Sequence, residues 1–511
     1  MNRFEALKLE VNFKALEAEL GSLFAKPFDE VDDRTLECLK VFGIAYKRKS
    51  KTFMIRVRIP LGQMDTNQLR ALAAVAEEYG QGELHLTMRS QIQVRGFQWY
   101  DLQAITTKLC DAGLLGHSTL MDSVRNIVTC PLTGISEHEY LDPTPVIERL
   151  NDRIVKTDEL RNLPRKVNTI ITGCLYQCQH AMYQDIVLLP AVKDIDSADI
   201  RGFNFYIGGQ ATGTACYQAR PLDIFVSPSV ADKVVWALLM LYRDHGSRDV
   251  RGECRISHWA EEVGLSEIRE QLVAMLTVPL YQAGITQQSE DRCKTLGLIP
   301  HPSREEIAMG LYVPGAKLRV DDAEKIACFV DEFGRSELRL TPDQNIVVPG
   351  ISGAKVEAAI THPICRTFDW QPHAAHAGTR ACVGLPDCHL SMIDTSYWAK
   401  RVSDELQNRL PEMPEVNIRW SGCNAGCARH QLADIGLVGR KRTMADGTQV
   451  DAVDIYMPRE DSVHHRLHNE LVISQVPCEI LAGKLEQIIR QEFMPPDQLE
   501  VMEHYQATTQ F

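Results

Sequence analysis

Two hydrophobic periods alternate along this chain. FMIRVRIP, Phe53 to Pro60, puts an apolar side chain at every second position, which predicts a half-buried strand. NQLRALAAVAEEYG, Asn67 to Gly80, instead spaces its apolar residues by three and four, which predicts an amphipathic helix. Asp65 and Thr66 stand where that helix needs an N-cap, and Gly80 where it needs a terminating glycine. AMGLYVPGAKLRVDDAEKIACFVDEFG, ending at Gly334, repeats the same order of strand, turn, helix and glycine.

The strands that follow also repeat. LHLTMRSQIQVRGF, Leu84 to Phe97, shares six of fourteen residues with LRLTPDQNIVVPGI, Leu338 to Ile351, at an offset of 254. GCLYQCQHAMYQDIVLLP from Gly173 and GCNAGCARHQLADIGLVG from Gly422 share Gly, both Cys, Asp, Ile and Leu at an offset of 249. Two matched offsets predict an internal duplication. The organisation that follows is an N-terminal arm over 1–35, two copies of a small unit over 36–105 and 300–355, and two larger α/β units over 106–290 and 356–511. Residues 288–304 form the crossing between halves. The predicted class is α+β, with mixed sheets covered by helices. Halves of this kind pack about a pseudo-twofold axis and leave a cleft between the larger units, a favoured place for a cofactor.

Composition narrows the function. The 511 residues are 44% hydrophobic and 24% charged, ordinary for a globular protein of several domains. No apolar run approaches the roughly 18 residues a membrane span needs, and the charged start MNRFEALKLEVNFKALEAEL does not read as a secretory signal. Fifteen cysteines without that signal point to reduced thiols and a cytoplasmic setting. A net charge of −13 argues against nucleic acid or an anionic membrane as partner, although YKRKSK at 46–51 and GRKR at 439–442 are locally basic. Each of these runs also reads simply as a solvated loop.

Thiols and cations are the candidate chemistry. Cys382 and Cys388 stand five residues apart, Cys423 and Cys427 three apart, in two loops. Such a set suits a tetrahedral zinc, an iron-sulfur cluster, or unrelated buried cysteines; the wide gaps and the adjacent Gly422 and Gly426 favour the cluster. In the first half Cys174 and Cys178 keep the same turn and Cys130 stands near the other pair's place, but a fourth partner is missing. They are read as buried small hydrophobes left by duplication, against a second metal site. Arg89, Arg125 and Lys166 are basic, and the counterpart of Arg89 is Asp343. One half thus holds metal and the other an anion, unless these side chains are merely solvated.

With these residues in view, the chain resembles the siroheme and 4Fe-4S reductases, the nitrite and sulfite reductase family, from about residue 30 to 495. The likeness is carried by the four cysteines, LTMR at 86–89, MDSVRN at 121–126 and NLPRKVN at 162–168. MDSVRNIVTCPLTGISEHEYLD, FNFYIGG and VRGECRISHWAEEVG are most similar to ferredoxin-dependent nitrite reductases. The resemblance implies two ferredoxin-like half-domains, and a 4Fe-4S cluster on Cys382, Cys388, Cys423 and Cys427 whose last thiolate also reaches a siroheme iron. It implies further that Arg56, Arg58, Arg89 and Arg125 face the siroheme carboxylates, and that Arg89, Arg125, Lys166 and Asn168 face an oxyanion substrate. Lys166-Val167-Asn168 is the nitrite-type pattern, where sulfite-type relatives have Lys-x-Lys; RACVGLPDCHLS leans the other way, toward sulfite. A cobalamin-pathway relative fits less well, since the cations are intact, and a non-catalytic metal-binding protein is the reading from a different class. No dinucleotide-binding GxGxxG follows a strand, so electrons are expected from a separate protein such as ferredoxin, docking near Lys47, Arg48, Lys49, Lys51, Arg440, Lys441 and Arg442.

Overall fold

The helix after the first strand starts at a reciprocal cap. The Asp65 carboxylate accepts the Gln68 N–H at 2.8 Å, and the Gln68 side chain accepts the Asp65 N–H at 3.2 Å. Leu69, Leu72, Ala73, Val75 and Ala76 then line the buried face of Thr66–Glu78. The counterpart helix Val320–Phe333 lacks a side-chain cap and instead carries Asp321 and Asp322 in its first turn, where the helix dipole favours negative charge. Neither terminating glycine enters the left-handed region expected of such a position. Both make a close approach: a Cβ on Gly80 would lie 2.8 Å from Arg95 O and 2.9 Å from Ala76 O, and one on Gly334 3.1 Å from Pro349 O and 3.0 Å from Val330 O. Every partner of Gly80 thus recurs 254 residues later.

The computed structural model describes residues 3–177, 180–213, 215–289, 291–302, 305–458 and 469–494. Its two small sheets are built alike. One runs Ile44–Lys47, Thr52–Arg56, Ile92–Phe97, Glu83–Leu86 and Lys317–Arg319; the other Gly297–Pro300, Glu306–Leu311, Ile346–Ser352, Glu337–Leu340 and Gln63–Asp65. Each sheet therefore takes its fifth strand from the other half of the chain. The register is symmetric as well: Lys317 stands opposite His85 in one sheet, and Gln63 opposite Arg339 in the other. The two helices lie against each other, joined by Arg70 to Glu324 at 3.1 Å and to Asp331 at 2.8 Å.

The chain divides into two compact units, residues 1–210, 217–313 and 317–370, and residues 211–216, 314–316 and 371–511. In the first, a larger sheet orders Arg220–Val226, Ala198–Ile207, Ile186–Ile195 and Ile285–Thr286, with Thr169–Ile171 parallel to the third of these. Helices Thr144–Lys156, Ala231–His245 and Leu265–Met275 bury their apolar faces in its core. The N-terminal arm is helical, and Leu7, Phe13 and Phe24 are buried.

In the second unit, Thr379–Ala381, Ile418–Ser421 and Ile435–Thr443 run parallel, and Gln449–Pro458 and Asn469–Pro477 continue antiparallel. Helices Thr395–Arg409 and Leu481–Glu492 pack on this sheet. The 249-residue repeat is visible in detail. Asn168 N–H donates to Asp185 at 2.7 Å, and Asn417 N–H to Asp434 at 2.7 Å. His180 and Arg429, at matching positions, both take left-handed φ, 53° and 59°. No helix among the described residues is long and apolar enough to cross a membrane.

Candidate active site

In the first unit the cations lie on four backbone segments. Arg56 ends strand Thr52–Arg56; Arg89 sits in the tight turn between Glu83–Leu86 and Ile92–Phe97, where Thr87 N–H donates to Gln91 O at 2.9 Å. Arg125 lies in an extended segment whose Val124 pairs in parallel with Val167, and its N–H donates to Val167 O at 2.9 Å. Lys166 and Asn168 flank Val167 and are half-buried. The guanidiniums are oriented by carbonyls: Arg89 donates to Asn126 O at 2.7 Å and to Gln184 at 3.2 Å, Arg125 to Met121 O at 2.6 Å and to Thr119 O, and Arg56 also to Thr119 O, at 3.3 Å.

Electrostatics sets Arg125 apart. Burial first, then the like charges of Arg56, Arg89 and Arg165, lower its pKa well below the ordinary value, while Asp122 acts in the opposite direction. Crowded, partly desolvated guanidiniums are unfavourable without an anion, so this arrangement fits carboxylates and oxyanions. Arg58 behaves differently. It is 4% exposed and donates to Asn151 at 2.6 Å and to the carbonyls of Val124 and Arg125 at 3.0 and 3.3 Å, while burial lowers its pKa to about 10. Its guanidinium braces the segment bearing Arg125 through these carbonyls.

Residues not singled out from sequence hold this group in place. Asp122, wholly buried, accepts from Arg251, Arg165 and, at 3.5 Å, Lys8 of the N-terminal helix. Burial pushes its carboxyl up, but Arg251, Lys8 and Arg165 outweigh that and hold it below the usual range. Asp185 accepts Arg255 through both oxygens at 2.8 and 2.6 Å while pinning Asn168 N–H. Asp185 and Asp434 were visible as the aspartate common to both repeats; their role as anchors of the preceding strand was not.

In the second unit the two cysteine loops are locked together. Met392 N–H donates to Gly422 O at 2.8 Å, Leu385 N–H to Ile393 O at 3.0 Å, and Ser391 Oγ to Ile393 O at 2.7 Å. Gly422 N–H donates to Cys382 Sγ at 3.1 Å. Burial raises the Cys382 thiol pKa, and that N–H acts in the opposite direction. A Cβ on Gly422 would collide with Ser391, and Gly426 has φ +68°, so neither position accepts a larger residue readily. Gly213 N–H donates to Ala425 O at 3.1 Å and Gln431 to Gly213 O at 2.6 Å, clamping the second loop. Cys382, Cys388 and Cys423 are part-buried and Cys427 is exposed. Four soft sulfurs on rigid loops, with an amide aimed at one of them, fit an iron-sulfur cluster. Buried Arg380 and Arg419 lie on the strands feeding these loops, a further pair that strand-like surroundings concealed.

Of the first-half cysteines, Cys130 and Cys174 are buried as expected, and Cys178 lies outside the described residues. The basic runs are partly neutralised. Arg48 pairs with Asp33 at 2.6 Å, Arg440 with Asp454 at 2.7 Å, and Lys441 with Asp451, while Arg442 donates to Gln475 O at 3.0 Å. Lys49 and Lys51 are exposed.

Known proteins share this architecture. The nitrite and sulphite reductase 4Fe-4S domain matches residues 120–280, and the nitrite/sulfite reductase ferredoxin-like half domain matches 46–112 and 299–362, the two copies of the small unit. A ferredoxin–nitrite reductase of Synechococcus elongatus is 31% identical over 96% of this chain and 97% of its own. The chloroplastic ferredoxin–nitrite reductase of Zea mays is 31% identical, covering 96% and 90%, and the assimilatory ferredoxin-dependent nitrite reductase of Haloferax mediterranei 30%, covering 93% and 87%. The structure of the Mycobacterium tuberculosis NirA protein superposes with a TM-score of 0.87 at 22% identity, covering 97% of this chain and 95% of that one, and so shares its fold. Fold, duplication and near full-length similarity lead to one conclusion: the chain belongs to the nitrite and sulphite reductase family.

Proposed function

We propose that this protein reduces nitrite to ammonium, taking six electrons singly from a separate donor protein such as ferredoxin. The observation that carries the reading is the crowd of Arg56, Arg89 and Arg125, where burial and then like charges depress the Arg125 pKa. The names of its relatives, ferredoxin–nitrite reductases, supply the substrate and donor. Cys382, Cys388, Cys423 and Cys427 would hold a 4Fe-4S cluster, with Cys427 also serving a siroheme iron; Arg56, Arg89 and Arg125 would meet siroheme carboxylates and substrate. When bound, the pair of cofactors supplies an iron centre able to receive electrons one at a time.

The chain's own residues bind, orient and protonate. Guanidiniums fixed by carbonyls at Thr119, Met121 and Asn126 need no reorganisation when negative charge grows on an oxygen, which is the basis of electrostatic catalysis. Six electrons and eight protons convert nitrite to ammonium and two waters, so each oxygen must be protonated as it leaves. Lys166 is a suitable proton source, refilled from solvent. Asn168 contributes a neutral amide, which suits a monoanion, while its backbone is fixed by Asp185.

Turnover of nitrite and sulfite with one reduced dye tests this. Nitrite should be reduced much more efficiently, and Asn168→Lys should raise the sulfite-to-nitrite ratio of kcat/KM. A clear preference for sulfite in the unmodified enzyme would make the protein a sulfite reductase, the reading RACVGLPDCHLS favours.

A further inference from the structure

Cys130, Cys174 and Cys293 come from three separate segments, yet their sulfurs all lie within 4.8 Å of one another, with Cys130 and Cys293 3.8 Å apart. We propose that these three thiols bind a single zinc ion, at a site distinct from the four cysteines of the second unit.

Spacing, ligand type and charge together narrow the kind of metal. Zinc–thiolate bonds of about 2.3 Å in a tetrahedron put neighbouring sulfurs about 3.8 Å apart. The observed separation matches one ion and is far above the roughly 2.05 Å of a disulfide. Thiolates select soft or borderline metals, and in apolar surroundings a divalent ion leaves less net charge on three thiolates than a monovalent one. Leu132, Ile135, Ala308 and Val347 supply those surroundings. Binding releases the thiol protons to solvent, and the ion has one tetrahedral position left for a further donor.

The duplication gives independent support. Val128 pairs in parallel with Ile170 as Arg380 pairs with Arg419, which places Cys130 where the second half has Cys382. Cys174 is the counterpart of Cys423. Two positions that carry cluster ligands in one half thus keep their thiols in the other, and Cys293 arrives from the crossing between halves. Its segment is fastened there: Ser289 N–H donates to Leu175 O at 2.6 Å, Gln177 N–H to Asp291 O at 2.7 Å, and Gln288 to the carbonyls of Cys174 and Tyr176 at 3.4 and 3.2 Å. The turn after Cys130 is held by Arg339, donating to Pro131 O at 3.2 Å and to Thr133 O. The backbone is therefore fixed around the thiols.

The experiment is elemental analysis and zinc K-edge absorption of the iron-replete enzyme, grown with zinc and purified without chelator. About one zinc per chain is expected, with three sulfur neighbours at about 2.3 Å. Cys293→Ser, in the part-exposed segment, should lower zinc at least tenfold while iron content and nitrite turnover stay as in the unmodified protein. Cys130→Ser should lose zinc too, and the absorption spectrum of the unmodified enzyme supports the site even if that buried variant misfolds. Absence of zinc, zinc retained in Cys293→Ser, or a Cys130–Cys293 disulfide found by peptide mass mapping would overturn the proposal. The zinc and mass-mapping readouts do not depend on which oxyanion is reduced.

Discussion

Arg58 is buried and Arg125 part-buried in the same few segments, but their surroundings differ. Arg58 satisfies Asn151 and two carbonyls, so Arg58→Met strands three acceptors and should destabilise the protein by about 2–4 kcal/mol in urea unfolding. Arg125 also donates to two carbonyls, Met121 O and Thr119 O, but lies among like charges, so Arg125→Gln should cost less stability than Arg58→Met while kcat/KM for nitrite falls about a hundredfold to a thousandfold. Loss of stability without loss of turnover in Arg125→Gln would contradict that division. The sequence announced Arg125 through its motif, but Arg58 looked like one more strand arginine beside Arg56. Alternation along FMIRVRIP places Arg56 and Arg58 on one face; only their tertiary neighbours tell the two apart.

At the scale of elements, the duplication was legible because the same packing demand falls on the same position twice. Gly80 and Gly334 each let a strand carbonyl approach a helix end, so Gly80→Ala and Gly334→Ala should cost similar amounts, about 1–3 kcal/mol each. Urea midpoints of the two variants check this, and a large effect at one position alone would break the equivalence. The exchange of fifth strands was not legible, because KLR and QMD are too short to carry a period that names a partner. Its consequence falls on His85, buried opposite Lys317. Burial first, then Arg95 and Lys317, lower its pKa to about 3. The unfolded chain therefore binds a proton below about pH 6.5 that the folded chain refuses, and stability should fall progressively from there toward pH 3. At about 1.36 kcal/mol per unit this amounts to a few kcal/mol. Denaturant unfolding across that range should show a flatter dependence in His85→Gln.

For the whole molecule, composition set the class and left the partner surface open. With a net charge of −13, any acidic donor must approach locally basic ground. Arg440 and Lys441 are already matched by Asp454 and Asp451, whereas Lys49 and Lys51 are exposed. Charge reversal of Lys49 and Lys51 together should raise KM for ferredoxin several-fold at low salt and leave dye-driven turnover unchanged; Lys441→Glu should do little in either assay. The paired cysteines stood out because their spacing is local in sequence, whereas Asp122, Lys8 and Arg251 meet across 114 and 129 residues, and no short window shows such a hub. The exchanged fifth strands bear on what a fragment of this chain can be. A piece ending before the crossing would keep Gln63–Asp65 with nothing to pair to, and strand Glu83–Leu86 would stand as an open edge. Because Gln63–Asp65 occupies the place of Lys317–Arg319 in the other half, two such fragments can fill each other's edges. The amino-terminal half alone should accordingly be a reciprocal dimer rather than a monomer.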